Sequence, residues 1–345
     1  MSPAALTTMT VTEQEREHIA VYEVVPRPAV FSLWERRRNR QLHWLVECIA
    51  EATGAFLYTF AGAGATAAYV LGNILQIPGL GSVLQIGIAY AVGIALAMAV
   101  CLSTSHGQFN PGITIHAMVF HGLPPLKAFR YIIAQIFGAY IACLLVYIQY
   151  KQLIHAAVDA LKAKGVYDTT MFTPSGPGGI FGLYVNPGSN LGYVLVNEFV
   201  CDFVLGLVIF ACTEPGNNLS TPTTMPWLIS LAYGVVVWGY APIGLAANSA
   251  RDLGGRFAAL TLFGRAASGG NYAALASLTN IPATLLAGVF YELVFNDSTR
   301  TINPDWQRVV SARHAELERK GRSASARASS LHSSGSSDEK IDDKA

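Results

Sequence analysis

Six stretches of the chain stay apolar for the roughly 20 residues that a helix needs to cross a bilayer. They cover about residues 43–69, 83–103, 127–149, 192–212, 227–246 and 272–296. Two more apolar stretches, at about 111–121 and 249–262, are too short to cross. Such backbone is tolerated at membrane depth only when it is buried in protein or lines a water-filled cavity, so both are predicted to be re-entrant half-helices. The order is span, span, half-helix, span, and it then repeats. The openings of the repeats also echo each other: Ala50-Glu51-Ala52-Thr53-Gly54-Ala55-Phe56 in one, Asn197-Glu198-Phe199-Val200-Cys201-Asp202-Phe203 in the other, with Glu51 and Glu198 in step. Three spans per repeat turn the halves upside down relative to each other. The predicted fold is therefore an all-α membrane protein, six transmembrane helices plus two re-entrant half-helices in an inverted repeat.

This pattern divides the chain into an N-terminal segment 1–42, a six-span domain 43–296 and a tail 297–345. Within the domain, halves at about 43–149 and 192–296 flank a loop at 150–191. The tail is Ser-rich and charged from about 320, a composition that predicts disorder. Basic residues near the membrane set the orientation. Arg36, Arg37, Arg38 and Arg40 precede the first span, Lys127 and Arg130 open the third, and Arg300 follows the last, whereas the loop at 70–82 is uncharged. Both termini are thus expected in the cytoplasm and loop 150–191 outside, its length discounting Lys151, Lys162 and Lys164. Within that loop, Gln149 to Lys164 reads as an amphipathic surface helix, and Thr173-Pro174-Ser175-Gly176-Pro177-Gly178-Gly179 as irregular chain. The sequons at Asn218 and Asn296 fall on the cytoplasmic side and are expected to carry no glycan.

Composition agrees with this reading. The 345 residues are 52% hydrophobic and 13% charged, with a mean hydropathy of +0.37. A soluble domain carries about 25% charged residues. The net charge of +1 says nothing about partners, because the charges sit at the ends and between spans; no nucleic-acid partner is expected. Residues 1–30 lack an apolar core, so the first span is expected to act as the insertion signal. Cys48, Cys101, Cys143, Cys201 and Cys212 lie in or beside apolar runs without C-x-x-C spacing and read as small buried side chains.

The candidate chemistry sits where the short stretches begin. Asn110-Pro111-Gly112 opens one and Asn248-Ser249-Ala250 the other. Asn is a favoured N-cap, and Pro suits the first helical position because an N–H there has no partner anyway. Ser249 in the place of Pro, and Gly112 in the place of Ala, predict looser helix starts. Asn186-Pro187-Gly188 has the same letters as the first triplet but precedes a full-length span, and reads as a plain turn. Two half-helices meeting N-terminus to N-terminus each present roughly half a positive charge, which repels cations. If each Asn oxygen caps its helix, each NH₂ is left to donate into a lumen. A barrier of this type stops protons and cations and passes neutral solutes. Arg251, three residues past the second Asn, is too costly inside a membrane unless it faces water or a partner.

Ser105-His106-Gly107-Gln108-Phe109-Asn110-Pro111-Gly112-Ile113-Thr114 and Gly244-Leu245-Ala246-Ala247-Asn248-Ser249-Ala250-Arg251-Asp252-Leu253-Gly254 resemble the two signature loops of the major intrinsic protein family, the aquaporins and aquaglyceroporins. The resemblance covers about 43–296. It implies a pore centre at Asn110, Pro111, Gly112, Asn248, Ser249 and Ala250, and a selectivity filter of Tyr90, Val236, Leu245 and Arg251. It further implies that Glu51 and Glu198 brace the signature loops by accepting backbone N–H bonds. Asp252 with a basic residue four further on, here Arg256, resembles the glycerol-conducting branch, and that pair is expected to shape its loop. The missing His at Val236 argues against a narrow water filter, whereas a single aromatic, Tyr90, is fewer than glycerol channels usually carry. The implied function is a passive channel for water, glycerol and similar small neutral solutes in the plasma membrane, excluding ions and protons and assembled as a homotetramer. The alternatives are a water-selective channel, a gated or non-conducting protein on the same fold, and a coupled secondary transporter.

No catalytic constellation, phosphate loop or metal set is present, so no enzyme activity and no cofactor is expected. His106, His116 and His121 lack the three- or four-residue separation that aligns ligands on a helix. His106 remains a candidate pH-sensitive group at the cytoplasmic mouth. Arg322 and Arg327 stand three residues before Ser325 and Ser330, a pattern that suits a basophilic kinase.

Overall fold

The structure is a computed structural model in which residues 21–318 are described. Among these residues all regular structure is helical. Residues 37–301 form one compact unit. Its long helices are α1 (His43–Leu75), α2 (Val83–Ser105), α4 (Pro125–Ala163), α5 (Leu191–Thr213), α6 (Met225–Tyr240) and the pair α8 (Gly270–Leu278) and α9 (Asn280–Val294). Between them lie two short ones, α3 (Pro111–Phe120) and α7 (Ser249–Phe263). Six helical stretches are long and apolar enough to cross a membrane. A second unit takes in residues 21–36 and 302–318. There Arg27 pairs with Glu35, and residues 304–318 are helical. The segment 1–20, the disorder expected from about 320, and Ser325 and Ser330 lie outside the described residues.

Local signals end the spans where backbone groups would otherwise be orphaned. The Ser82 hydroxyl accepts from Gln85 N and opens α2, and Asn190 Oδ1 accepts from Gly192 N at 2.8 Å and opens α5. Gln76, at φ 59°, closes α1. The sixth span breaks at Thr279 because Pro282 has no N–H for the Leu278 carbonyl.

Packing follows the repeat. α1 packs on α2 and α4, and α5 packs on α6 and α9 in the same way. The half-helices cross over: α3 packs on α9 of the second half, and α7 on α4 of the first. Small residues permit these approaches, as where Gly138 of α4 lies against the Ala52 backbone of α1. The outer side of α2 exposes Val92, Leu96 and Val100 four residues apart, a stripe suited to lipid.

Two expectations need correction. Gln149–Lys164 is not a separate surface helix but the continuation of α4, which runs unbroken to Ala163. No breaker interrupts it, and Ile154, Ala157 and Leu161 bury one face, the first two in a cluster with Ile180 and Phe181. The fifth span stops at Tyr240, short of 246. Pro242 ends it, and residues 244–248 leave the helix to form the second signature loop.

Candidate pore and its lining

The two Asn loops are built alike. Phe109 and Ala247, each just before its Asn, hold φ at 49° and 55°, a left-handed backbone that non-glycine residues seldom adopt. A buried carboxylate holds each. Glu51 Oε1 accepts from Gln108 N at 3.1 Å and Oε2 from Phe109 N at 2.8 Å. Glu198 accepts from Ala246 N and Ala247 N, both at 2.7 Å. Ser105 Oγ and Gln135 Nε2 also donate to Glu51, at 2.6 and 2.7 Å. Each Asn then caps its half-helix: Asn110 Oδ1 accepts from Gly112 N at 2.8 Å, and Asn248 Oδ1 from Ala250 N and Arg251 N at 2.9 and 3.2 Å.

Both NH₂ groups were expected to be free, but each spends one proton on the other loop. Asn110 Nδ2 donates to the Ala247 carbonyl at 3.2 Å, and Asn248 Nδ2 to the Phe109 carbonyl at 2.9 Å. Each Asn keeps one N–H beyond that bond. Nor does Gly112 loosen the junction. A Cβ there would lie 2.6 Å from Asn280 Oδ1 and 2.7 Å from Thr284 Oγ1, so glycine lets α9 close against the start of α3. Ser249 does not loosen its turn either, since Asn248 caps two N–H groups.

Arg251 is 2% exposed. Its Nε donates to the Tyr90 hydroxyl at 3.0 Å and its Nη1 to the Phe181 carbonyl at 2.7 Å. Phe181 lies two residues past the Pro- and Gly-rich stretch 173–179 that was expected to be irregular, and it closes a single 3-10 turn over Pro177–Ile180. Nothing in its composition tells that it delivers a backbone acceptor to Arg251. Tyr90 fits because Gly62 faces it; a Cβ there would meet the ring at 1.9 Å. Val236 is buried in the same cluster, with Leu245 packed against it. Apart from its Arg edge the wall is not uniformly apolar. It also holds Tyr58 and Tyr233, whose hydroxyls lie 2.5 Å apart and whose rings both pack on Tyr90.

Asp252 and Arg256 form a buried fork rather than a solvated pair. Arg256 Nη2 and Nε donate to the carboxylate at 2.6 and 3.2 Å, and Ser277 Oγ adds a bond of 2.9 Å. The guanidinium also holds the carbonyls of Leu183 and Ser268, at 3.0 and 3.1 Å, and so ties two loops to α7. Beside it Tyr184 donates to the Ala267 carbonyl at 2.9 Å. Burial pushes this phenol up to about 12, with Arg256 opposing, so it stays a donor at neutral pH.

A cavity of about 80 Å³, room for several waters, opens on one side of the two Asn residues. Asn110 and Asn248 line it, Tyr58 and Tyr233 stand in its wall, and Tyr90, Val236, Leu245 and Arg251 do not line it. Asp202 and Asn280, which the sequence reading passed over, line it too. An Asp at the fourth place after Glu198, on the same helix face, was the available signal. His116 is buried beside Phe210 and His121, with ring centroids 4.1 and 5.2 Å away.

Comparison with known proteins agrees with this architecture. Residues 38–265 match the sequence profile described as Major intrinsic protein. The chain is 54% identical over 286 residues to Aquaporin-3 of Laccaria bicolor, covering 82% of this chain and 87% of that protein. It is 32% identical over 211 residues to a Glycerol uptake facilitator protein of Pseudomonas aeruginosa, covering 60% of this chain and 72% of the relative. The solved structure of the aquaglyceroporin from Plasmodium falciparum has the same fold, with a TM-score of 0.62 at 20% identity over 73% of this chain and 96% of that one. With inverted halves, paired Asn-capped half-helices and a profile match over both signature loops, the chain belongs to the major intrinsic protein family, whose members are membrane channels and not enzymes.

Proposed function

We propose that this channel passes water, glycerol and similar small neutral solutes without energy coupling, and excludes ions and protons. The observation that carries the reading is the Asn110–Asn248 junction, which offers each passing oxygen one N–H per Asn at two positive helix ends. Arg251 adds a second cationic barrier, and the glycerol facilitators among the relatives support a solute wider than water. Asn110, Pro111, Gly112, Asn248, Ser249 and Ala250 act as the pore centre. Tyr90, Val236, Leu245 and Arg251 act as the filter, and Glu51, Glu198, Asp252 and Arg256 brace the loops. The assembly is a homotetramer in the plasma membrane, by likeness to the family, with both termini cytoplasmic on the strength of the flanking arginines. Stopped-flow light scattering of proteoliposomes under water and glycerol gradients tests the reading. Glycerol entry above empty-liposome rates is expected; water flux without glycerol flux would overturn it.

One observation favours gating as a second reading. The Tyr58–Tyr233 hydroxyl bond stands between the cavity and the Tyr90–Arg251 pair. Here it acts as a latch across the lumen. Tyr58→Phe, which removes one hydroxyl, is then expected to raise water permeability several-fold, and unchanged permeability would rule the latch out.

A further inference from the structure

The end of the six-span domain where α1 and α4 begin carries cations that the pore does not use. Arg37, Arg38 and Arg40 stand just before α1, and Arg38–Leu42 form a π-helix that runs on into it. Lys127 and Arg130 lie in the first two turns of α4, which packs along α1. Glu47, the acid beside them, is already spent. Its Oε1 accepts from Lys127 Nζ at 2.7 Å, and His43 Nε2 lies 3.4 Å from the same oxygen. Among the described residues no carboxylate lies within ion-pair distance of Arg37, Arg38, Arg40 or Arg130. None of these residues lines the cavity at the two Asn residues.

The Arg130 guanidinium lies over the ring of Trp44, 4.7 Å from its centroid, and that ring is itself 47% exposed. Stacking holds the planar fork in one orientation while its N–H groups stay available. Arg40 stands four residues before Trp44, about one turn along the same continuous helix. On α4 the neighbours of Arg130 at helical spacing, Leu126 and Ile133, are exposed and apolar, as is Phe129 beside it. Arg130 thus tops an apolar face, with Trp44 at the depth where aromatic belts meet headgroups. A guanidinium there binds lipid phosphate through two parallel N–H···O bonds. Every phospholipid has that phosphate, and the surrounding charge chooses among them. Choline would bring a further cation among Arg37, Arg38, Arg40 and Lys127, whereas a headgroup without an amine brings the negative charge they lack. We infer that Arg130, Trp44 and Arg40 form a binding site for the headgroup of an anionic phospholipid, whose acyl chains lie along Leu126, Phe129 and Ile133. The site goes beyond the proposed function and holds whatever solute passes.

The test titrates the full-length channel in detergent with phosphatidylglycerol or phosphatidylcholine, which share the phosphate and differ in the choline charge. Native mass spectrometry reads the affinity for the first lipid bound per chain. Wild type is expected to prefer phosphatidylglycerol by about ten-fold. Arg130→Gln should weaken phosphatidylglycerol binding about ten-fold, the scale of one hydrogen bond to a charged group. Arg40→Gln, which leaves the stack on Trp44 in place, should weaken it several-fold and serves if Arg130→Gln does not fold. Arg300→Gln removes a positive charge on the same side of the membrane, given the even number of spans, but outside the cluster. It should change the affinity by less than about two-fold. Equal affinity of wild type for the two lipids would overturn the site. So would equal losses in Arg130→Gln and Arg300→Gln, which would trace the binding to bulk charge rather than to this cluster.

Discussion

At the scale of single residues, the departures from a symmetric pair of Asn loops are compensated by specific neighbours. Gly112 is the clearest case. Its missing Cβ is the space that Asn280 and Thr284 of α9 occupy. Gly112→Ala is therefore expected to destabilise the channel by about 1–3 kcal/mol, as overpacking does. The drop in melting temperature in detergent should be smaller in the background Asn280→Ala, and equal drops in both backgrounds would contradict this contact. Arg251 likewise cannot be understood from its charge alone. With Nε committed to Tyr90 and one Nη1 proton to Phe181, the rest of its guanidinium is held in one orientation.

At the scale of elements, α7 serves as a hub. Its Asp252–Arg256 fork reaches the loop at Leu183, the turn at Ser268 and Ser277 of α8. A lysine has the charge but not the planar five-donor fork. Arg256→Lys should cost about 2 kcal/mol through its lost hydrogen bonds. It should also release the loop at 166–190, seen as faster protease cleavage there while water flux persists. Cleavage at the wild-type rate would show that the loop is held by its own packing. That packing is substantial, since Ile180 and Phe181 are fully buried against α4 and α7 neighbours such as Ile154 and Ala258.

At the scale of the whole molecule, the inverted repeat places equivalent parts under equivalent loads. α1 and α5 each carry a buried carboxylate that holds the left-handed residue before an Asn. Glu51→Gln and Glu198→Gln each replace an acceptor by an NH₂ that faces backbone N–H groups. Both are expected to destabilise by about 1–3 kcal/mol. Glu198→Gln should be the more damaging of the two, because Glu51 keeps Ser105 as a donor that can turn its hydroxyl, whereas Glu198 meets only fixed backbone donors. Thermal denaturation of the two variants side by side checks the order, and the reverse order would refute it. The crossing of α3 onto α9 and of α7 onto α4 also means that neither half completes its own pore lining.

Periodicity and length alone determined six spans, two half-helices and the inverted order, because a bilayer core demands about 20 apolar residues per crossing and satisfied backbone throughout. The Asn caps were legible for the same reason: they are local, set by a residue and the two or three that follow it. What could not be read was contact between distant segments. That Phe181 from an irregular loop meets Arg251, that Tyr58 and Tyr233 join hydroxyls, and that Asn280 fills the place of a missing methyl at Gly112 each depend on how helices pack. Composition treats those residues as ordinary loop, core and span. Only the tertiary structure decided them, because a hydrogen bond across 70 or 175 residues leaves no trace in the local pattern.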